Sequence, residues 1–270
     1  MTYSYGADLA LMDLPKLREI LLSGGIERPG WEAEQIAKAS QNEAARKNLA
    51  QRRASGEPLA YVLGEWDFYG ITFKVTPDVL IPRADTELLA ELAIGWAVGV
   101  PVPVRVLDLC CGSGCLGVAL AHNISCDLTL ADLSRAALEI AAMNCKGLPS
   151  VKTLCCDALK PPPKKLPGFD LLVCNPPYIA RDEWGSLDFS VTGYEPRMAL
   201  DGGENGLTFY EAIAGQWHTA LTPGGRAAFE VGYTQAGQVC DILRENGFSG
   251  IEVFKDLSGI ERVVTGIASK

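Results

Sequence analysis

The apolar run Phe169-Asp170-Leu171-Leu172-Val173-Cys174 ends in Asn175-Pro176-Pro177-Tyr178, a residue set suited to one chemical task. The run reads as a buried strand. Two successive prolines at its end stop the hydrogen-bonded ladder and fix φ, so the Asn175 and Pro176 carbonyls turn away from the sheet. The Asn175 side-chain oxygen and the Pro176 carbonyl then form a rigid acceptor pair that can take both hydrogens of a planar NH2 group. Tyr178 offers a ring to the flat face of whatever carries that group. Asn175, Pro176 and Tyr178 are therefore the expected catalytic residues. The tetrapeptide could be punctuation at a strand end, but three further strand ends argue for a site.

Asp108-Leu109-Cys110-Cys111-Gly112-Ser113-Gly114 follows the run Arg105-Val106-Leu107. Glycines at a strand-to-helix turn let the backbone approach a ligand closely. Gly112, Gly114 and Gly117 keep the G-x-G-x-x-G spacing of dinucleotide sites, a weak signal when alone. A carboxylate in that turn would repel a pyrophosphate. S-adenosylmethionine has no phosphate and carries a cationic amino group and a sulfonium, so an acidic loop suits it better. Asp132 ends the next strand, where a carboxylate can accept from both ribose hydroxyls; a helix N-cap role for Asp132 or Ser134 is compatible with that. Asp157, after Leu154-Cys155-Cys156, is placed to hydrogen-bond an adenine amino group or to serve as a turn residue.

These strand ends must share one edge of a sheet, because ligands of open α/β sheets bind outside the carboxyl ends of the strands. The pattern from Arg105 onward supplies that sheet: strand RVLDLC, helix GCLGVALAHN, strand DLTLADL, helix SRAALEIAAMNC, strands VKTLCCD and DLLVCN. Strands alternating with helices predict right-handed crossovers and a doubly wound α/β domain. A helix (FYEAIAGQWHTAL), a strand (RAAFEVG), a helix (TQAGQVCDILRENG) and an antiparallel pair around GIEVFKD and ERVVTGI are expected to finish it. PPPKKLPG reads as a surface loop. Residues 8 to 55 show helical spacing broken at Gly-Gly and at Pro-Gly. YVLGEWDFYGITFKV reads as a hairpin turning at Tyr69-Gly70. The expected division is a helical domain over 1–57, a hairpin linker over 58–82 and a catalytic domain over 83–270.

At 270 residues and 48% hydrophobic content, the chain can fill a core without staples. Its nine cysteines lie within apolar runs, which points to free thiols in a reducing cytoplasm. Cys110, Cys111 and Cys115 are close together, yet no paired C-x-x-C accompanies them and the histidines are His122 and His218 alone, so no metal is expected. A net charge of −9 argues against broad affinity for nucleic acid. No basic leader precedes an apolar run and no stretch reaches the length of a membrane span. A cytoplasmic monomer, without membrane or stable nucleic-acid contact, is expected.

From about Arg52 to Arg262 the chain resembles the family of peptide chain release factor N5-glutamine methyltransferases. The resemblance is carried in order by RRASGEPLAYVLGEWDFYG, VLIPRADTELL, DLCCGSGCLGVALA, ADLSRAALEIAAMN, CNPPYI, EPRMALDGGENGLTFYEAI, LTPGGRAAFEVGYTQ and DLSGIERVV. It implies a Rossmann-like methyltransferase domain with a seven-stranded, mostly parallel sheet, using S-adenosylmethionine, behind a helical domain that binds the protein substrate. That substrate would be the glutamine of the Gly-Gly-Gln motif of peptide chain release factors. By motif, Cys110, Cys111, Gly112, Ser113 and Gly114 would line the methionine part of the cofactor, Asp132 the ribose, and Asp157 with Ala158 the adenine. Asn175 would touch both cofactor and glutamine, with Pro176, Pro177 and Tyr178 completing the substrate cradle. Leu80 to Arg83 would cover the cofactor. The chain departs from the family in having Cys110 and Cys111 where Gly and Thr are usual, Ala84 where a second proline is usual, and a short helical domain.

A carboxamide nitrogen is a poor nucleophile, because its lone pair is delocalised into the carbonyl. Held in line by Asn175 and Pro176, it needs no strong base: the acceptors stabilise the charge growing on nitrogen, and the proton leaves after transfer. Such orientation supplies roughly 7 to 11 kcal/mol in favourable intramolecular cases. The rival readings are methylation of a base amino group in nucleic acid, which the acidity opposes, glutamine methylation of a ribosomal protein, and a non-catalytic adenosine-binding module.

Overall fold

The computed structural model describes residues 13–269. Three helices come first: α1 (Leu14–Ser23), α2 (Pro29–Ala39) and α3 (Glu43–Ala54). The part of the helical reading before Asp13 lies outside the described residues. Pro29, expected as a break, instead opens α2, because its fixed φ and missing N–H suit the first helical position. The real break is Ser40-Gln41-Asn42, where the Asn42 side chain accepts from the Ala45 amide at 3.0 Å and caps α3. Leu17, Leu21, Ile36 and Ala50 pack as the core of this unit, joined by Leu59 and Val62 of α4 (Leu59–Leu63). At its centre Arg46 is buried, pairs with Asp13 at 2.5 Å and donates to the Ser40 carbonyl at 3.0 Å.

The hairpin forms as β1 (Glu65–Phe68) and β2 (Ile71–Lys74), paired antiparallel. Its two-residue turn puts Tyr69 at φ 50° and Gly70 at φ 73°, the doubly positive turn that matches strand twist. Helix α5 (Asp85–Ala97) follows. No helix was expected there: the run is apolar nearly all round, so it lacks a clear amphipathic period, and the structure buries Leu89, Ala90 and Ala93 of it.

The catalytic domain is built on β3 (Val104–Leu109), α6 (Cys115–Asn123), β4 (Cys126–Asp132), α7 (Arg135–Asn144), β5 (Val151–Cys155) and β6 (Phe169–Cys174). It continues through the short α8 (Phe189–Thr192), α9 (Thr208–Gln216), β7 (Leu221–Glu230), α10 (Ala236–Glu245), β8 (Phe248–Lys255) and β9 (Glu261–Ala268). The seven strands lie in the order β5-β4-β3-β6-β7-β9-β8, with β9 antiparallel to both neighbours and the rest parallel. β7 begins before the expected RAAFEVG and pairs with β6 across a register shift between Phe169 and Leu171. Side chains alternate between two cores. Leu107, Leu109, Leu172 and Cys174 face Tyr210 and Trp217 with α10, whereas Val104, Val106, Leu171 and Val173 face α5, α6 and α7. Tyr61 ties the helical unit on, donating to the Val79 carbonyl at 2.6 Å.

Asp108, near the end of β3, points into the protein and accepts from the Gly117 amide at 2.8 Å. Burial pushes its carboxyl up to about 7; the Gly117 amide pulls the other way and Asp132 adds to the rise. The unfolded chain releases that proton near pH 4, so the fold loses stability as pH rises from about 4 to about 7 and levels off above. Asp108→Asn keeps the acceptor and removes the charge, so its urea midpoint should fall less than the parent's between pH 5 and pH 7.5; parallel declines would refute this account. Arg46→Ala should destabilise the helical unit by about 3–5 kcal/mol, because it leaves the buried Asp13 with only the exposed Lys16 ammonium, 3.9 Å away. A denaturation curve shifted by less than about 1 kcal/mol would contradict that.

Candidate active site

Strand order reverses between β3 and β6, whose following segments turn to opposite sides and leave a crevice at their carboxyl ends. A cavity of about 590 Å³ occupies it. Leu109, Cys110 and Gly112 form its floor, Asp132 to Ser134 and Cys156 to Leu159 one wall, and Asn175 with Pro177 the other. Asp78, Val79 and Leu80 close it from the linker, and Pro196, Met198, Ala199 and Asp201 from the segment before α9. Glu195 joins these two covers: it is buried, accepts from the Ile81 amide at 3.2 Å and pairs with Arg83.

Of the sequence-predicted residues, Cys110, Gly112, Asp132, Asp157, Ala158, Asn175 and Pro177 lie on the cavity wall. Cys111, Ser113, Gly114, Pro176 and Tyr178 do not line it. Cys111 and Ser113 are buried behind the loop, where the Ser113 carbonyl accepts from Asn144 at 2.9 Å. Cys110 sits at φ 61°, a left-handed conformation that favours the glycine usual in the family. Gly112 is also left-handed, and a Cβ there would meet nothing within 4 Å, so its bare backbone leaves the cavity floor open to a ligand.

Asp132 ends β4 with both oxygens engaged, Oδ2 accepting from the Gly112 amide at 2.9 Å and Oδ1 from the Ser134 amide at 2.8 Å. Burial raises its pKa despite those amides. Each oxygen has a further lone pair to offer, and Asp132 lines the cavity, as binding a ribose diol requires. Ser134, not Asp132, caps α7, accepting from Ala137 at 3.1 Å. Asp157 accepts from the Leu159 amide at 3.0 Å, and its loop is anchored from beneath by the buried Trp217 indole, which donates to the Ala158 and Lys160 carbonyls at 3.0 Å each. Leu109, Leu133, Leu159 and Phe209 give this end of the cavity an apolar lining. Slender backbone at the floor, a carboxylate at mid-wall and an apolar slot beyond fit S-adenosylmethionine.

Asn175 holds the other wall through a buried relay. Its Nδ2 donates to Thr86 Oγ1 at 3.1 Å, and Thr86 donates to Glu230 Oε2 at 2.5 Å. Its Oδ1 is buried and has no hydrogen-bond partner among the described residues. Tyr178 turns away from the cavity, so its hydroxyl lies 3.4 Å from Glu230 Oε1. The Tyr178 carbonyl accepts from Gln235 at 2.9 Å, and a Cβ at Gly206 would come within 2.4 Å of it, so only glycine fits there. Burial pushes Glu230 up to about 7; Thr86 pulls it down, Asp85 pushes it up, and Arg262 and Tyr178 pull it down. Glu230, within FEVG, and Thr86, in the unexpected helix α5, had no part in the sequence reading. The rule that singled out Asn175 would have found Glu230, the last residue of the next strand.

Among the described residues no helix is long and apolar enough to cross a membrane, and no group of three or more His, Cys, Asp or Glu could hold a metal ion. All nine cysteines are free.

A methyltransferase domain family matches residues 106–187. The release factor glutamine methyltransferase of Bordetella pertussis is 43% identical over 227 residues, covering 83% of each chain. That of Chlamydia trachomatis serovar L2 is 37% identical over 267 residues, covering 92% of this chain and 91% of its own. The crystal structure of a ribosomal protein L11 methylase from Lactobacillus delbrueckii subsp. bulgaricus aligns with TM-score 0.52 at 18% identity, over 73% of this chain and 84% of its own, a likeness of fold. With this cavity and these relatives, the chain belongs to the release factor glutamine methyltransferase family and is an S-adenosylmethionine-dependent enzyme.

Proposed function

We propose that this enzyme methylates the side-chain amide nitrogen of the glutamine in the Gly-Gly-Gln motif of peptide chain release factors, acting as a cytoplasmic monomer without stable nucleic-acid contact. The observation that carries the reading is Asn175 Oδ1, a buried acceptor without a donor among the described residues, on a side chain of the cofactor cavity's wall. A primary carboxamide supplies the missing donor, and its second hydrogen goes to the Pro176 carbonyl. The acidic balance of the chain, −9 overall, speaks for a protein substrate over nucleic acid.

Bound S-adenosylmethionine supplies an electrophilic methyl group. Asp132 would hold its ribose, Asp157 and Ala158 its adenine, and the Cys110 to Gly114 backbone its methionine part. Asn175 and Pro176 fix the plane and rotation of the substrate amide, so the nitrogen meets the methyl without a search over orientations. As nitrogen becomes positive its hydrogens become stronger donors, so both contacts tighten in the transition state more than in the bound substrate. Pro176 and Pro177 keep those acceptors from relaxing. No general base is required, because the alkylated nitrogen is acidic enough to lose its proton to water.

With labelled S-adenosylmethionine and a release factor, label is expected on the Gly-Gly-Gln glutamine and none on a Gln→Ala substrate. Asn175→Ala should lower turnover by about 10²-fold or more, with S-adenosylhomocysteine affinity within a few-fold of the parent. Full activity in that variant would sink the proposed role of Asn175. Label on a ribosomal protein in place of the release factor would move the substrate assignment.

A further inference from the structure

Asn175 can serve as an acceptor only if its oxygen, and not its NH2, faces the substrate. A carboxamide is nearly symmetric in shape, so packing does not choose between the two orientations; hydrogen-bond polarity must. The chain of contacts behind Asn175 makes that choice. Glu230 is 2% exposed, and in its ionised form, which predominates above about pH 7, it has no proton to give, so Thr86 Oγ1, 2.5 Å from Oε2, is then the donor. The single hydroxyl proton is then used. Toward its other neighbour Thr86 can only accept, and that neighbour, at 3.1 Å, must therefore be Asn175 Nδ2. Oδ1 is left over, without a partner among the described residues.

We infer that Thr86, held by Glu230, is the positioning residue that orients the Asn175 amide and so makes the site an acceptor for a substrate NH2. The inference rests on the reading of Asn175 given above. Neither Thr86 nor Glu230 lines the cavity, so neither touches cofactor or substrate. Thr86 is 3% exposed at the start of α5, 89 residues from Asn175 and 144 from Glu230, so three separate elements must dock correctly for the relay to form. Docking α5 onto the sheet therefore also sets the polarity of the site.

Thr86→Val keeps the shape and removes the hydroxyl. The Asn175 NH2, losing its acceptor, should turn toward the cavity and present donors to a substrate that itself brings donors. The expected result is a fall in kcat on the order of 10²-fold, with affinity for S-adenosylhomocysteine, read by calorimetry, within about twofold of the parent. Thr86→Ser, which retains the hydroxyl, should restore kcat to within a few-fold. In protein labelled with 15N-asparagine, the Asn175 carboxamide signal, assigned by its loss in Asn175→Ala, should shift in the valine variant and stay near its parental position in the serine variant. A valine variant with parental kcat and an unmoved Asn175 signal would overturn the inference, as would equal losses in valine and serine variants. If the parent enzyme itself left release-factor glutamine unlabelled, the substrate reading would fail instead, while the amide signal would still report on the relay.

Discussion

An ionised carboxylate accepts hydrogen bonds and cannot donate them. Placed beyond the reach of water at the end of a strand, Glu230 when ionised imposes that asymmetry on every polar group stacked in front of it. The hydroxyl of Thr86 and the amide of Asn175 pass the asymmetry forward, and it ends at the Asn175 oxygen, on a residue of the cavity wall. The same carboxylate takes a second contact from Tyr178, so the backbone that follows the two prolines is anchored to the group that sets the direction of the relay. Burial works against this arrangement by favouring the protonated acid. Arg262 counters it, held 3.1 Å from Asp85, the residue before Thr86.

The topology explains why so few contacts suffice. Segments leaving β3 and β6 must diverge, since their helices cover opposite faces of the sheet, so the crevice exists before any side chain is chosen. The remaining task is to hold loops still, and the chain does it with single polar side chains: the buried Trp217 beneath the Asp157 loop, Gln235 behind Tyr178 and Glu195 between the two covers, and the half-buried Asn144 under Ser113. Each comes from an element remote in sequence from the loop it holds. Substitutions at these four positions act on the cavity from behind, without removing any group that faces it.

Much of this could be read from the chain. Alternating strand and helix runs gave the doubly wound sheet and its antiparallel finish, and residues at strand ends gave Asp132, Asp157 and Asn175, all on the cavity wall. The reading went astray where orientation decides. Asp108 stands in the same kind of position as Asp132, yet it faces inward to Gly117, so the acid facing the cavity is not the one from which the cofactor's charge preference was argued. Tyr178, singled out for its ring, does not line the cavity and turns its hydroxyl to Glu230. Periodicity specifies that a residue ends a strand, but the face it turns to depends on which neighbours can satisfy it. Helix α5 escaped for a related reason: a helix covered on most sides loses the polar stripe by which helices are recognised, and Thr86 was hidden along with it.

The oxygen of Asn175, which has no partner among the described residues, bears on which ligands the site accepts. Left without a donor, a buried acceptor costs about 1–3 kcal/mol, and a ligand that fills the cavity displaces any water that could serve. A ligand that brings its own donor keeps the oxygen satisfied. A ligand of equal area without one strands it, so discrimination at this position comes from the cost of an unpaired acceptor in the complex.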